Sequence, residues 1–312
     1  MVTLAKALGQ PYVVKKLVFQ WPYYAPLAKL KTTSEPMQAP WPDLIFCAEA
    51  LASVVARKLK RQSGGAAKIV AMARPSGDVC SFDLVLTTAQ YRLQKLPHVV
   101  ELMLPLTEAA VSHIVPVAST DNLLVLIGAT SPPELLNADV AFDLLHQIQK
   151  RAEQMDANLC VVTSPRTSPE VAAVFAKNLK PQHQVHIWSP AVANPYDQCL
   201  SEAAEIIVTS DSVSMLADAL ATRKSTMVYR LPRKFNGGQK IVEWFFKRSP
   251  NNWIFKSGLI EASPDRWALV EKLVKAGYVS WFGDAKNARL LFDPKRDIDL
   301  ALTAIRRLNS PH

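Results

Sequence analysis

Short apolar runs alternate with amphipathic stretches along most of the chain. In the first hundred residues five runs are short and apolar enough for buried strands. They cover residues 13–19, 43–47, 68–73, 82–86 and 99–103. After the second run, Glu49–Gln62 carries aliphatic side chains at helical spacing and is followed by Ser63-Gly64-Gly65, which is typical of a helix end. This half is therefore predicted to fold as strands joined through helices.

The second half of the chain repeats this alternation more regularly. Strands are predicted over residues 123–127, 159–163, 185–188, 206–209 and 226–229. Apolar side chains from Phe142 to Met155 recur at helical spacing, and Ser168-Pro169-Glu170 has the capping hydroxyl, proline and acid of a helix start. Alternating strands and helices predict an α/β protein with parallel sheets covered by helices on both faces.

The length and the pattern favour two domains. A chain of 312 residues is roughly twice a common domain of about 150 residues. Proline and hydroxyl residues interrupt the pattern at 115–121, which is therefore a predicted hinge. The helix expected over 298–308 has no strand after it and should pack on the first domain. We predict a first domain of residues 1–117 and 298–312, and a second of residues 118–297.

The composition excludes several classes of protein. With 49% hydrophobic and 20% charged residues, the chain is not a disordered or low-complexity protein.

The four cysteines, Cys47, Cys80, Cys160 and Cys199, form no C-x-x-C motif, and His183-x-x-His186 lacks a third ligand nearby in the sequence. We therefore expect no metal site, and a reducing compartment.

The net charge of +9 is unevenly distributed. Residues 1–120 contain 13 Lys and Arg against 7 Asp and Glu, whereas residues 121–312 contain 23 against 20. This excess suggests an anionic partner such as nucleotide phosphates or acidic lipid headgroups, with a solvated basic face on the helix at 49–62 as the alternative. Nucleic acid is not favoured, because the basic residues lie on one helix and on scattered loops without a recognised module.

Aromatic and basic side chains are interleaved near the N-terminus. Lysines surround Trp21-Pro22-Tyr23-Tyr24, as in many interfacial anchors. Two interpretations stay open: attachment to an anionic membrane surface, and a proline-rich loop whose rings pack on the domain. No apolar run approaches the ~18 residues that a membrane span requires, and no secretory signal is visible. We expect a cytoplasmic protein, at most peripheral at the inner membrane.

Hydroxyl-rich turns follow two strands of the second half, where parallel sheets bind ligands. In the turn at 163–168, backbone N–H groups, hydroxyls and the Arg166 guanidinium suit a phosphate. The alternative is a capped helix with a solvent-facing arginine. The binding residues predicted here are Ser164, Arg166 and Thr167.

The second turn lies at residues 208–215. Ser212 or Ser214 could donate to a diphosphate, and Asp218 could accept from ribose hydroxyls. The alternative is that Ser212 only caps the helix and Asp211 only complements its dipole. Just upstream, Tyr196 in Asn194-Pro195-Tyr196 could stack on a base or pack at a helix entry. The candidate binding residues in this region are Asn194, Tyr196, Ser210, Asp211, Ser212, Ser214, Met215 and Asp218.

These segments together resemble the mitochondrial-fission "elongated mitochondria" family, whose bacterial members are regarded as GT-B glycosyltransferases. The likeness rests on residues 164–167, 194–196 and 208–215, and extends through 41–45, 82–85, 126–128 and 233–235. The resemblance implies two Rossmann-like domains facing a cleft, with a nucleotide-sugar site in the second domain. It implies transfer from a nucleotide-diphosphate sugar to a cell-envelope glycan or lipid, without a cofactor or metal. No catalytic base is assigned.

The chain departs from the family pattern mainly in its first half. Family members usually begin with a strand and a Gly-rich loop, so the first domain is expected to lack its first strand. Other departures are Glu49-Ala50 for an arginine pair, Arg74 for an acid, Thr87–Gln90 for an acidic-histidine pair, Ala129 for a glycine, Pro165 for an arginine and Asp218 for a glutamate. A catalytically silent GT-B-like binding or scaffold protein, recruited to a membrane surface, is therefore the alternative function.

Overall fold

The computed structural model describes residues 1–20, 29–107, 121–250, 252–285 and 290–309. The chain divides into two compact units, one of residues 1–106, 237–264 and 295–312, the other of residues 107–236 and 265–294. Residues 237–264, which we expected in the second domain, thus group with the first unit. The predicted hinge, apart from Asp121, and the aromatic segment at 21–24 lie outside the described residues.

Parallel strands and helices alternate in both units. The strands are β1 (Leu44–Ala48), β2 (Lys68–Met72), β3 (Leu84–Thr88), β4 (Val99–Leu102), β5 (Asn122–Ile127), β6 (Asn158–Thr163), β7 (Gln184–His186), β8 (Glu205–Thr209), β9 (Ser225–Tyr229) and β10 (Ser280–Trp281). The helices are α1 (Val2–Leu8), α2 (Glu49–Gln62), α3 (Ala138–Met155), α4 (Pro169–Asn178), α5 (Tyr196–Glu202), α6 (Val213–Ala221), α7 (Gly237–Arg248), α8 (Trp253–Lys256), α9 (Arg266–Lys275) and α10 (Pro294–Asn309). Short 3₁₀ segments cover Val79–Ser81 and Ala89–Tyr91.

Nine of the ten predicted strands form within two residues of their expected bounds, and the run at 13–19 does not. There, only Phe19 makes a bridge, antiparallel to Leu30. Val13 and Val14 are 78% and 62% exposed, so this apolar run lacks the burial that would stabilise a strand.

The first unit contains a four-stranded parallel sheet in the order β1-β2-β3-β4. No strand precedes Leu44 among the described residues of this unit. Ala301 and Ile305 of α10 pack with Leu4 of α1 against the sheet, and Asp297 accepts a 2.9 Å hydrogen bond from the Leu104 N–H. The last helix therefore packs on the first unit, as predicted from the lack of a strand after it.

The second unit contains a six-stranded parallel sheet in the order β10-β9-β8-β5-β6-β7. Strand β5 lies between β6 and β8, and its residues Leu123–Ile127 are fully buried. A strand covered on both faces needs apolar side chains at every position, which explains this unbroken run. Leu144 and Ile148 of α3 and Phe175 of α4 complete one side of the core. The predicted α/β class, with a Rossmann-like sheet in each unit, is confirmed.

A buried carboxylate joins the ends of β5 and β8. The Gly128 N–H donates to Thr209 Oγ1 at 2.9 Å, and the Ala129 N–H donates to Asp211 Oδ2 at 2.7 Å. The Thr209 hydroxyl in turn donates to Asp211 Oδ1 at 2.7 Å. On the other side of β5, the Thr167 hydroxyl lies 2.7 Å from the Gly128 carbonyl oxygen. These bonds fix three strand ends relative to one another.

No helix in the described part of the chain is both long and apolar enough to cross a bilayer.

We expect Gly128→Ala to destabilise the second unit, because the added methyl would collide with the Asp211 carboxylate. Overpacking of this kind costs about 1–3 kcal/mol of unfolding free energy. Urea denaturation of the full chain measures the change. Gly237→Ala is the matched control, since no atom lies within 4 Å of its added methyl. Equal losses in the two variants would contradict the proposed role of the Gly128–Asp211 contact.

Candidate functional site

The structure brings the two predicted hydroxyl-rich turns to one edge of the second sheet. Strands β6 and β8 flank β5 and run parallel to it, so all three carboxyl ends share that edge. The turn after β6 is attached to β5 by the Thr167 hydroxyl, which lies 3.1 Å from the Ile127 carbonyl oxygen and 2.7 Å from that of Gly128. The turn after β8 is attached to β5 through Asp211. The two segments therefore lie on either side of Gly128.

Most backbone donors of the first turn are used within the protein. The Ser164 N–H donates to the Ile127 carbonyl at 3.0 Å, the Arg166 N–H to Ser164 Oγ at 3.2 Å, and the Thr167 N–H to the Ser164 carbonyl at 3.0 Å. The expectation that these amides are free for an anion is therefore wrong. The Arg166 side chain is exposed, and its Nη1 contacts the neutral Ser131 hydroxyl at 3.3 Å. The guanidinium remains as the donor that this turn can offer.

The predicted helix start at 168–170 is confirmed. Ser168 accepts a 3.3 Å hydrogen bond from the Val171 N–H, and Pro169 occupies the first turn of α4. The Ser168 hydroxyl therefore caps the helix, and the Arg166 guanidinium takes no part in the cap.

The first part of the second turn is buried and has structural contacts. Ser210 Oγ accepts from the Leu231 N–H at 3.2 Å, and both carboxylate oxygens of Asp211 accept hydrogen bonds. Asp211 is only 3% exposed. Any effect of Ser210 and Asp211 on a ligand would act through the position of the turn.

In the second part of this turn Ser212 and Val213 are also buried, but the donors at the start of α6 have no hydrogen-bond partner among the described residues. Ser212 is at the N-cap, but its hydroxyl makes no capping hydrogen bond, so the capping alternative for this residue is wrong. The N–H groups of Val213, Ser214 and Met215 are in the first turn of the helix, where no intrahelical acceptor exists. Ser214 is exposed and Met215 is half-buried. The helix dipole adds positive potential at the same position.

Tyr196 and Asp218 form a pair next to this turn. The Tyr196 hydroxyl donates to Asp218 Oδ2 at 2.9 Å, and Asp218 also accepts a hydrogen bond from Thr107. Burial raises the pKa of both Tyr196 and Asp218. Asn194 is exposed, and its Oδ1 accepts from the Tyr196 N–H at 3.2 Å. Asp218 lies four residues after Ser214 in α6, so both occupy one face of the helix.

Two arginines reduce the cost of burying Asp211. Burial raises the pKa of the Asp211 carboxyl, whereas the Ala129 and Thr209 hydrogen bonds and the Arg166 and Arg266 guanidiniums act in the opposite direction. This edge of the sheet therefore combines the positive potential of two guanidiniums with one enclosed carboxyl group.

Sequence reasoning missed a buried ion-pair cluster beside the site. Arg266 Nη1 lies 2.6 Å from Glu134 Oε2 and donates to the Ser131 carbonyl at 3.1 Å. Glu134 is fully buried, and burial raises its pKa against the pull of Arg266 and Arg233. Arg233 also forms an ion pair with Asp265 at 3.2 Å. The cluster fixes the loop that carries Ser131, the contact of Arg166.

Two tryptophan rings pack against Arg230, which is close in sequence to Arg233 of the ion-pair cluster. The Arg230 guanidinium lies 4.2 Å from the ring centroid of Trp281 and 5.3 Å from that of Trp267. In the ion-pair cluster, Arg266 and Glu134 are 132 positions apart, so no local sequence pattern predicts their contact. The one available signal was the likeness at 233–235.

The carboxyl edge of the first sheet has unusual polar and backbone features. The side-chain atoms Thr87 Oγ1, Thr88 Oγ1 and Gln90 Oε1 are buried and have no hydrogen-bond partner among the described residues. Three residues other than glycine have positive φ angles here: Glu49 at 62°, Ala73 at 70° and Arg92 at 51°. Such conformations cost on the order of 1–3 kcal/mol each and are concentrated at functional sites. The altered segment at 87–90 is therefore a second candidate binding region.

Two arginines of the first unit are held in ion pairs. Arg74 Nε lies 3.2 Å from Glu261 Oε2, and Arg92 makes hydrogen bonds of 2.9 and 2.6 Å to the two carboxylate oxygens of Glu243. These partners fall in the segment at 237–264 that the sequence pattern assigned to the other domain. Arg74, where the family pattern has an acid, thus has a structural partner.

The chain matches the family model "Mitochondrial fission ELM1" over residues 1–248. It is a member of the ELM1 family. This confirms the resemblance seen in the sequence, including the segments that form the sheet edge just described. No curated protein matches this ELM1-family chain.

Several solved structures resemble the ELM1-family chain loosely. A UDP-GlcNAc 2-epimerase from Methanocaldococcus jannaschii is 11% identical, with a TM-score of 0.44 over 86% of this chain and 77% of the other. A lipopolysaccharide outer core galactosyltransferase, WaaB, is 10% identical, with a TM-score of 0.41 over 86% and 76%. A Neisseria meningitidis UDP-GlcNAc 2-epimerase bound to UDP-GlcNAc is 12% identical, with a TM-score of 0.40 over 75% and 76%. Likenesses this loose carry no argument about chemistry, and the fold rests on the strand order itself.

We expect Asp211→Asn to change how stability depends on pH. Folding raises the Asp211 pKa above its ordinary value of 3.8, so the protonated carboxyl stabilises the folded state. This stabilisation is fully present below pH 3.8. It is lost as the pH rises through the raised folded pKa. The unfolding free energy of the variant, relative to the wild type, should therefore increase as the pH rises from 3.8 through the raised folded pKa. Urea denaturation across this range measures it, with the exposed Asp139→Asn as the charge control. A difference that is independent of pH would contradict the argument.

Proposed function

We propose that this ELM1-family protein is a glycosyltransferase that moves a sugar from a nucleotide diphosphate to a cell-envelope glycan or lipid. One observation carries the proposal. The exposed Arg166 guanidinium, the exposed Ser214 hydroxyl and the first turn of α6, whose N-cap residue Ser212 is 5% exposed, lie at one sheet edge. Arg166 has no carboxylate within 4.0 Å in the described part of the chain, so its charge is available to a ligand.

These donors match what the departing group needs. When the bond from the sugar to the diphosphate breaks, negative charge collects on the phosphate oxygens. A guanidinium can bind two of those oxygens at once, and helix N–H groups with serine hydroxyls can bind the others. Donors that are already oriented stabilise this charge without a metal ion or a cofactor, and we propose that none is used.

Asp218 is placed to contact the nucleoside in this proposal. It lies one helical turn after Ser214, and its carboxylate accepts hydrogen bonds, as ribose hydroxyls would require. Tyr196 holds the carboxylate in place through its hydroxyl. Its half-buried ring is next to the same position and would support the base from one side.

The acceptor side of the proposal rests on the first unit. Thr87, Thr88 and Gln90 have buried polar atoms without a partner among the described residues, and these could bind acceptor hydroxyls only if this sheet edge opens. They are neutral groups and do not supply a general base, which an acceptor hydroxyl needs during transfer. His98 contacts the Val79 carbonyl oxygen at 3.2 Å, as a structural histidine would. We assign no base. A lipid acceptor would place the protein at the inner membrane surface, facing the cytoplasm.

We expect Arg166→Ala to weaken binding of a nucleoside diphosphate by at least ~10-fold, since a hydrogen bond to a charged group contributes about 1.5–3 kcal/mol. Isothermal titration calorimetry with UDP, GDP, ADP and CDP identifies the base and measures the loss. Lys177→Ala removes an exposed cation from the other end of α4 and should leave the affinity unchanged. Failure of every nucleotide to bind below millimolar concentration would refute the donor site.

A silent binding protein is the second candidate function. It is favoured because many polar groups of the site are already satisfied: the first-turn amides, both oxygens of Asp211, and the Tyr196–Asp218 pair. The ion pairs of Arg74 and Arg92 likewise fix the charges of the first unit. A site whose polar groups are already satisfied within the protein could bind a nucleotide without catalysing its turnover.

Turnover separates the two candidates. We expect the wild type to release nucleoside diphosphate from the sugar nucleotide whose base binds best, at a rate above that without protein. Ser212→Ala with Ser214→Ala should lower this rate by ~10-fold or more, because each hydroxyl would stabilise the departing charge. Coupled detection of released diphosphate measures it, with Ser201→Ala on α5 as the control. Tight binding with no release by the wild type would favour the silent protein.

A further inference from the structure

Two cysteines and a histidine meet on one face of the second sheet, in a place that the proposed function does not use. Cys160 is in β6, and His186 ends the neighbouring strand β7. In the register of these strands Cys160 faces Gln184 and Val162 faces His186, so Cys160 and His186 point to the same side. Cys199 in α5 reaches this side, where its sulfur lies 3.5 Å from that of Cys160.

The distances fit a tetrahedral metal better than a disulfide. One ligand atom from each of the three residues lies within 4.8 Å of the other two. Zinc bonds of about 2.3 Å to sulfur and about 2.0–2.1 Å to nitrogen separate neighbouring ligand atoms by roughly 3.4–3.8 Å. The two sulfurs, 3.5 Å apart, already meet this spacing, and a ring nitrogen of His186 lies within 4.8 Å of both. A disulfide would require the sulfurs to approach to about 2.05 Å.

The ligand set selects the class of metal. Two thiolates and an imidazole suit zinc and other soft or borderline ions, whereas calcium and magnesium require oxygen ligands. A cavity with polar walls borders both sulfurs, and Asn158, Gln184 and Glu202 contribute to its lining. Glu202 lies three residues after Cys199 and thus on the same face of α5. Water in this cavity is the fourth ligand we propose, because Glu202 Oε1 already accepts a 2.8 Å hydrogen bond from Gln198.

We propose that Cys160, His186 and Cys199 bind one Zn²⁺ ion. The ion would hold β7, an edge strand of three residues, and α5 against β6. The site shares no residue with the proposed donor edge, so either proposal can fail without the other. Sequence spacing does not reveal it, because the ligands are 26 and 13 positions apart and come from three elements.

Zinc content of the full-length protein tests the proposal. The reduced protein is stripped with a chelator, dialysed against zinc and then against metal-free buffer, and its metal is measured by mass spectrometry. We expect about one zinc per chain, the stoichiometry of a single site. Cys160→Ser, Cys199→Ser and His186→Gln should each lower zinc affinity more than ~10-fold, since loss even of a group that only orients a ligand costs about that much. Cys80→Ser and the exposed His146→Gln are the matched controls and should retain zinc.

Three further readouts use protein in which the proposed ligands are intact. Cobalt bound to the wild-type protein should show thiolate-to-metal charge-transfer absorption, and zinc should protect two of the four thiols from alkylation. Zinc should also raise the thermal midpoint of the wild type and of Cys80→Ser. The proposal is overturned if the reduced wild type binds no zinc, or if the ligand variants retain as much as the controls. A Cys160–Cys199 disulfide that forms without bound zinc, in protein whose reduced form also takes up none, would overturn it as well.

Discussion

The buried Asp211 carboxylate is the constraint on which the arrangement of the second unit depends. It accepts hydrogen bonds from the Ala129 N–H and the Thr209 hydroxyl, and Thr209 in turn accepts from the Gly128 N–H. A carboxylate this deeply buried is unfavourable unless it is hydrogen-bonded and close to positive charge. The same contacts leave no space for a side chain at Gly128. One enclosed carboxyl group thus ties the end of β5 to the turn that precedes α6.

This constraint divides the residues of the sheet edge into two groups. Ser210 and Asp211 use their polar atoms inside the protein and so hold the turn in position. The hydroxyls of the buried Ser212, directly after Asp211, and of the exposed Ser214 have no hydrogen-bond partner among the described residues. Because the first group is fixed by hydrogen bonds in the core, the second is held rigidly in front of it. Preorganisation of this kind lowers the cost of binding an anion.

The sequence pattern predicted strands better than it predicted the use of donors. Strands buried on both faces require unbroken apolar runs, and β5 and β8 were therefore evident from the sequence. The run at 13–19 was wrong because Val13 and Val14 stay exposed, which no local pattern reveals. The turn at 163–168 was placed correctly, but its amides are consumed by the Ser164 carbonyl and by β5. Such competition depends on tertiary contacts, as does the pairing of Arg266 with Glu134.

Anion binding at this edge is coupled to the ionisation of Asp211. The Arg166 guanidinium stabilises the Asp211 carboxylate, so any phosphate that draws on the same guanidinium removes part of that stabilisation. A second negative charge nearby acts in the same direction and would raise the Asp211 pKa further. Arg266 partly compensates, because it interacts with Asp211 while Glu134 holds it in place. The Arg266–Glu134 ion pair therefore favours the ionised form of Asp211 when a ligand occupies Arg166.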